Sequence, residues 1–159
     1  MHIRIVAVGK TKERYLADGI AEYEKRLRPY VKLLVNVIAD EKRPAGISAA
    51  SEEQVREREG ERILAAIPPG AVVVALDVQG RLLSSQDLAC RFRDWEIAGK
   101  NSIVFVIGGD LGLPDAVLSR ADLRLSISPM TFTHQMVRLI LLEQIYRAVK
   151  MNHGEPYHK

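Results

Sequence analysis

The chain has 159 residues, of which 47% are hydrophobic and 27% are charged, a composition that excludes a disordered or low-complexity protein. Its formal net charge of +3 permits a nucleic-acid partner without requiring one. The single cysteine, Cys90, excludes an internal disulfide and a multi-cysteine zinc site. No apolar run approaches the roughly 18 residues of a membrane span, and no signal peptide is recognisable, so we expect a soluble, cytoplasmic protein without a metal or a membrane partner.

Predicted strands and helices alternate through the first half of the chain. Runs of β-branched residues predict strands at residues 3–8 and 33–39. Apolar residues at helical spacing predict a helix over residues 12–28. A capping-box pattern at Ser51 opens a second, highly charged helix. The charged segment before it, residues 40–50, is expected to be a mobile loop.

The second half of the chain continues this alternation. Residues 72–77 and 102–107 are continuously apolar, as expected of strands that are covered by helices on both faces. Between them, Gln79-Gly80 predicts a turn, and the serine pair at 84–85 caps the next helix. We therefore predict an α/β fold with a mostly parallel sheet between helices, built as one domain over residues 1–159.

Two loops that follow predicted strands could present backbone groups to a ligand. The first, GGDLG at residues 108–112, does not fit the dinucleotide pattern, and it precedes Pro114, a good first helical residue. The second, SPMTFT at residues 128–133, could read an adenine edge while Met130 or Phe132 covers the face of the ring. Each loop taken alone is equally compatible with a plain strand-to-helix connection.

A third glycine-containing turn, Gly9-Lys10-Thr11, resembles the end of a phosphate-binding P-loop. The full pattern requires a glycine five positions before Gly9, where this chain has Arg4. A turn that ends the first strand is therefore the favoured interpretation, and a phosphate-ester enzyme using this turn is a weak alternative.

The predicted helix over residues 134–151 is apolar around more than the ~100° stripe of a surface helix. It is either central to the domain or shared with a second subunit, and we favour the shared interface. His134 and Arg138 lie four residues apart on one face of this helix. They form either a solvated polar edge or a basic contact to substrate or cofactor. Glu143 and Arg147 are spaced as a structural ion pair.

The polar tail, NHGEPYHK, would ordinarily fray. It nevertheless concentrates two of the four histidines and a tyrosine, which can stack on a base, contact a phosphate or move a proton.

Six motifs in this order resemble one known family along the whole chain. They are (I/L)x(I/L)VAVGK, LDxxG at residues 76–80, IGGxxGL, S(P/A)(M/L)T(F/L)xH, (V)RxxLxEQ(I/L)YRA and the terminal PYHK. Each motif is loose by itself, but the six together at the correct spacing are specific. The chain is similar to the RlmH family of ribosomal large-subunit (23S rRNA) pseudouridine N3-methyltransferases, in the SPOUT superfamily.

The resemblance implies a SPOUT-type α/β fold with a C-terminal trefoil knot, a homodimer with the last helix at its interface, and S-adenosyl-L-methionine bound in the knot loops. Carried over, the cofactor contacts are Leu76, Gly108, Ile127, Ser128, Pro129, Met130, Thr131 and Phe132. The candidates for substrate binding or catalysis are His134, Arg138, Tyr157 and His158.

The implied reaction places a methyl group on N3 of a pseudouridine, whose N–H must lose its proton. A cation such as Arg138 or a tail histidine would favour the anion, or a histidine would accept the proton. Because the chain is small and modestly charged, we expect its substrate to be ribosomal RNA within an assembled particle. The alternative is a non-catalytic, ribosome-associated RNA-binding module.

Overall fold

A computed structural model of the chain describes residues 1–43 and 45–157. Strands and helices alternate from end to end of this part of the chain. In order, they are β1 His2–Val8, α1 Arg14–Leu27, β2 Lys32–Ile38, α2 Ala49–Ala65, β3 Val72–Leu82, α3 Ser85–Ile97, β4 Ser102–Ile107, α4 Asp115–Arg120, β5 Leu123–Ser126 and α5 His134–Asn152. None of the described helices is both long and apolar enough to cross a membrane.

The strands form one parallel sheet in the order β2-β1-β4-β3-β5. β1 and β4 lie at its centre with Ile3 opposite Ile103, and both strands are almost entirely buried. Continuously apolar strands of this kind are stable only when helices cover both faces. The predicted parallel sheet between helices is therefore confirmed, whereas the knot implied by the resemblance stays a prediction.

Alternate residues of each central strand belong to two separate cores. In β1, Ile3 and Ile5 pack in the core that includes Leu141 and Ile145 of α5, whereas Val6 packs on the opposite face in the core that includes α2 and α4. Each fully buried aliphatic side chain contributes about 1.5–3 kcal/mol relative to its exposed state. The helix α5 is thus anchored directly beneath the centre of the sheet.

The structure corrects the predicted turn at Gln79-Gly80. β3 continues through this pair to Leu82, and its pairing with β5 is irregular, because Leu125 lies opposite both Leu76 and Arg81. A Cβ atom at Gly80 would lie only 2.7 Å from the backbone of Arg124. Gly80 therefore allows two strands to approach within an irregular pairing, a role that a local sequence pattern does not distinguish from a turn.

Helix boundaries also differ from the predictions. The cap of α2 is Ser48, whose Oγ accepts a hydrogen bond from the Ser51 N–H at 3.2 Å, so the predicted capping box at Ser51 was wrong by one turn. Pro114 is the cap of α4 rather than its first helical residue. Ser84 caps α3 in a reciprocal capping box with Asp87. Near the start of each helix, several neighbouring residues have side chains that can serve as the N-cap. Which of them does so depends on where the tertiary structure begins the helix.

Candidate cofactor pocket and active site

A cleft of about 1250 Å³ opens at the carboxyl edge of the sheet. Its walls are formed where β4 and β5 end and by residues 76–79 within β3, together with the start of α5 and parts of α1 and α2. Ligand sites in parallel α/β sheets lie at this edge, and the volume is sufficient for a nucleoside-sized ligand beside a second group. The two loops singled out in the sequence both contribute to the cleft.

Most of the predicted cofactor residues line this cleft. Those lining it are Leu76, Gly108, Ile127, Ser128, Met130, Thr131 and Phe132. Pro129 is exposed and does not form part of the lining. The structure therefore brings together positions from β3 and from the ends of β4 and β5 that lie up to 56 residues apart in sequence.

The glycine loop, residues 108–112, closes on itself after β4. The Gly112 N–H donates to the Gly109 carbonyl oxygen at 3.0 Å, and Gly112 has a φ of +80°, which other residues rarely adopt. A Cβ atom at Gly108 would lie 2.9 Å from the carbonyl carbon of Gly112. Glycine at 108 is required for this closed turn, which exposes bare backbone to the cleft.

The serine loop, residues 126–133, is held by its own hydroxyl groups. Ser126 Oγ donates to the Ser128 carbonyl at 3.1 Å, and the Met130 N–H donates to Ser128 Oγ at 3.0 Å. Thr133 then caps α5 by accepting from the Met136 N–H. These bonds leave Met130 75% exposed and Phe132 43% exposed at the mouth of the cleft, where apolar side chains can cover a flat ligand.

Among the candidate catalytic residues that the structure describes, His134 lines the cleft of its own chain. Burial lowers its pKa from the ordinary value of 6.5, and the nearby positive charge of Arg138 lowers it further. The imidazole is therefore neutral at neutral pH, which is the state that accepts a proton.

Arg138 is neither solvated nor directed into this cleft. Its side chain is buried, with Nη2 donating to the Val8 carbonyl at 2.6 Å and Nη1 donating to Thr11 Oγ1 at 3.1 Å. It lines a separate cavity of about 330 Å³ beneath α1, and its Nε has no hydrogen-bond partner among the described residues. In a single chain Arg138 fixes the turn after β1 and acts on His134 through its charge.

Tyr157 lies on the outer side of α1 and α5. Its hydroxyl is 3.2 Å from both Tyr23 Oη and Glu143 Oε1, and its ring packs against Tyr146 with ring centres 4.8 Å apart. Burial is the main reason that the pKa of Tyr157 is raised above its ordinary value of 10.0, so the phenol stays protonated at neutral pH. Tyr157 is therefore suited to donate a hydrogen bond rather than to remove a proton.

The tail is consequently docked away from the cleft of its own chain. Tyr146, against which Tyr157 packs, is twelve residues beyond His134 on α5, or roughly 18 Å along the helix axis. A second clasp joins Glu155 to Tyr30 and Lys150. His158, the remaining catalytic candidate, lies outside the described residues.

Sequence reasoning missed several residues of the cleft. Tyr15 is 64% exposed at its mouth beside Glu13, and Arg56 reaches it from α2, where it pairs with Glu53. These residues lie in charged segments without a recognisable motif, so no local signal could have found them. Among the described residues, no group of three His, Cys, Asp or Glu side chains is arranged to hold a metal.

Comparison with known proteins identifies the family. A family model described as a predicted SPOUT methyltransferase matches residues 1–158. The chain belongs to the SPOUT methyltransferase family. A putative ribosomal RNA large subunit methyltransferase H of Methanoregula boonei is 61% identical over 159 residues, all of both chains. Proteins named ribosomal RNA large subunit methyltransferase H from Carboxydothermus hydrogenoformans and Alkaliphilus oremlandii are 55% and 53% identical, again over all of both chains.

Membership of the SPOUT methyltransferase family gives the reaction class and confirms the resemblance seen in the sequence. It favours a catalytic protein over a binding module, and it implies a methyl donor of the S-adenosylmethionine type. The cleft fits such a donor. The backbone around Gly108 and the apolar side chains of the serine loop suit an adenosine, and the acidic side chains of Asp77 and Asp110 suit a positively charged sulfonium.

Proposed function

We propose that this SPOUT methyltransferase uses S-adenosyl-L-methionine to methylate N3 of a pseudouridine in 23S ribosomal RNA of the large subunit, in the cytoplasm. The observation that carries the proposal is full-length identity of 53–61% to proteins named ribosomal RNA large subunit methyltransferase H. The choice of a pseudouridine as the target base rests on the resemblance carried by the six motifs. The cleft supports the proposal because it combines ligand-ready loops with a neutral histidine.

The residues of the cleft would do three things in this reaction. The serine and glycine loops would hold the cofactor, which supplies an activated methyl group. The apolar mouth formed by Met130 and Phe132 would exclude water and receive the base. Neutral His134 would accept the N3 proton as the nitrogen takes the methyl group, and Tyr157 or His158 would donate hydrogen bonds to the base.

We further propose that the working unit is a homodimer in which the tail of one subunit completes the cleft of the other. The accessible surface of the single chain is 9000 Å², compared with about 8000 Å² expected for a compact monomer of its mass. Leu139 and Ile140 of α5 are only partly buried in the single chain. Because the ring of Tyr157 packs on Tyr146, which is roughly 18 Å along α5 from His134, the tail of a second subunit is the better placed to reach the cleft.

The proposed function is tested by methyl transfer from labelled S-adenosylmethionine to large ribosomal subunits that lack the modification, followed by mapping of the modified base. We expect one labelled pseudouridine, with little transfer to a short naked RNA hairpin. Gly108→Ala should abolish cofactor binding in calorimetry, because its Cβ atom would collide with the backbone of Gly112.

Ile97→Ala provides the control, because Ile97 is exposed at the end of α3 and does not line the cleft. This variant should bind the cofactor and transfer the methyl group like the wild type. Failure of the wild-type protein to bind S-adenosylmethionine would overturn the proposal, as would labelling of a residue other than pseudouridine.

A further inference from the structure

The segment that follows β2, residues 39–43 and here called the strap, is docked against α2. Arg62 of α2 donates to the Ala39 carbonyl at 3.0 Å and pairs with the Glu41 carboxylate at 2.7 Å. Arg58 contacts the same carboxylate at 3.4 Å. The strap is therefore attached to α2, while the mobility expected of residues 40–50 stays a prediction.

Glu59 of α2 lies at the centre of this arrangement. It is only 4% exposed, its Oε2 accepts the Glu41 N–H at 3.0 Å, and its Oε1 is 3.9 Å from the position of a Cβ atom on Gly109. One carboxylate thus contacts the strap with one oxygen and faces the glycine loop with the other. Glu59 does not itself line the cleft, so it stands behind the loop rather than in the ligand site.

The ionised carboxyl of Glu59 is unfavourable where it lies. Burial raises its pKa above the ordinary value of 4.5, and the negative charges of Asp40 and Asp110 raise it further, against the lowering effects of the Glu41 N–H and Arg43. An uncharged side chain of the same shape would cost less to bury at this position. A purely structural requirement is therefore a poor explanation for a carboxylate here.

A second link between the strap and the glycine loop is present at the surface. Arg43 Nη2 lies 2.5 Å from Asp110 Oδ2, with side-chain exposures of 27% and 66%. Exposed ion pairs of this kind contribute only about 0–1 kcal/mol. Glu59 is the buried group that lies between the strap and the glycine loop, and the surface pair is secondary.

We propose that Glu59 is a positioning residue for the methyl-donor pocket: it holds the glycine loop and the strap in the arrangement that the cofactor binds. This inference rests on the proposed function and deepens it, because Glu59 would act through residues 108–112 without touching the ligand. Its removal should weaken cofactor binding while the fold and the chemical step persist.

The test compares Glu59→Gln with Glu57→Gln, a matched change of an exposed residue on the same helix. Glutamine keeps the shape of the side chain and the oxygen that accepts the Glu41 N–H, but it places an uncharged amide group instead of a carboxylate oxygen behind Gly109. We expect Glu59→Gln to unfold at the same temperature as the wild type or higher. Its Kd for S-adenosylmethionine in calorimetry should rise about tenfold, with KM for the cofactor raised in parallel and kcat at saturating cofactor unchanged.

Each outcome of this comparison supports or overturns the positioning role of Glu59. Glu57→Gln should match the wild type throughout, and Arg43→Ala should change the Kd less than about twofold. Wild-type cofactor affinity in Glu59→Gln would overturn the positioning role, and a lowered unfolding temperature would assign Glu59 to structure instead. Absence of cofactor binding by the wild-type protein would instead reject the proposed function.

Discussion

Two candidate catalytic side chains are held in defined protonation states by their surroundings. His134 is kept neutral by burial and by the charge of Arg138, whereas Tyr157 is kept protonated by burial and by the acceptor Glu143. One group is thereby suited to take a proton and the other to donate a hydrogen bond. The identities of these residues are local, but the burial that is the main cause of both states arises only when the chain folds.

The lowered pKa of His134 predicts a specific dependence of stability on pH. Because the folded pKa lies below the unfolded value of about 6.5, the unfolded chain binds more protons as the pH falls, and the folded state loses stability between those two values. The His134→Gln variant has no titrating imidazole at this position and therefore does not show this loss of stability. We therefore expect the free energy of unfolding of the variant, relative to that of the wild type, to be higher at about pH 5.5 than at about pH 7.5. Urea unfolding at the two pH values measures this difference.

Nuclear magnetic resonance gives the direct check on the same prediction. The ring protons of His134 should titrate below 6.5 in the wild type, and the midpoint should rise if Arg138 is replaced by Met in a folded variant. A midpoint at or above the ordinary value in the wild type would contradict the electrostatic account of the site.

At the scale of elements, two helices meet their neighbours through glycines. In α2, Gly60 packs against Pro114, and a Cβ atom at this position would lie 2.5 Å from the proline Cγ. In α1, Gly19 packs against α5, where a Cβ atom would lie 3.0 Å from Leu139 Cδ1. The proline ring is rigid and begins α4, whereas the tip of a leucine side chain can rotate.

These contacts predict departures of different size from helix propensity. Glycine to alanine inside a helix ordinarily stabilises by about 1 kcal/mol. Gly60→Ala should instead destabilise by about 1–3 kcal/mol, because α2 and α4 must separate to accept the methyl group. Gly19→Ala should change the free energy of unfolding by less than about 1 kcal/mol, since Leu139 can adjust. Urea denaturation of both variants checks the order, and equal effects would contradict the packing argument.

At the scale of the whole molecule, the cleft and the tail are separated within one chain. The cleft lies at the carboxyl edge of the sheet, while the tail is held by Tyr23 of α1, by Tyr30 and by Glu143 of α5. Two copies related by a two-fold axis would give each cleft access to the tail of the other copy.

Mixed dimers test this arrangement. One chain carries Gly108→Ala, which blocks its cleft, and the other lacks residues 157–159. Each should be inactive alone. Co-expressed, they should recover about a quarter of wild-type methyl transfer, because about half of the dimers are hybrids and each hybrid has one complete site. No recovery, despite hybrid dimers seen in a sizing experiment, would mean that the tail acts on its own cleft.

The sequence by itself determined the parallel α/β fold, the two loops that line the cleft and the SPOUT family. Local sequence patterns indicate those features, namely apolar strands such as β1 and β4, glycines such as Gly108, and motifs at fixed spacing. Only the tertiary structure placed Glu59 behind the glycine loop, turned Arg138 towards Val8 and docked Tyr157 on Tyr23. The last two contacts join residues 130 and 134 positions apart, and Glu59 reaches Gly109 across 50 positions, so no local pattern encodes them.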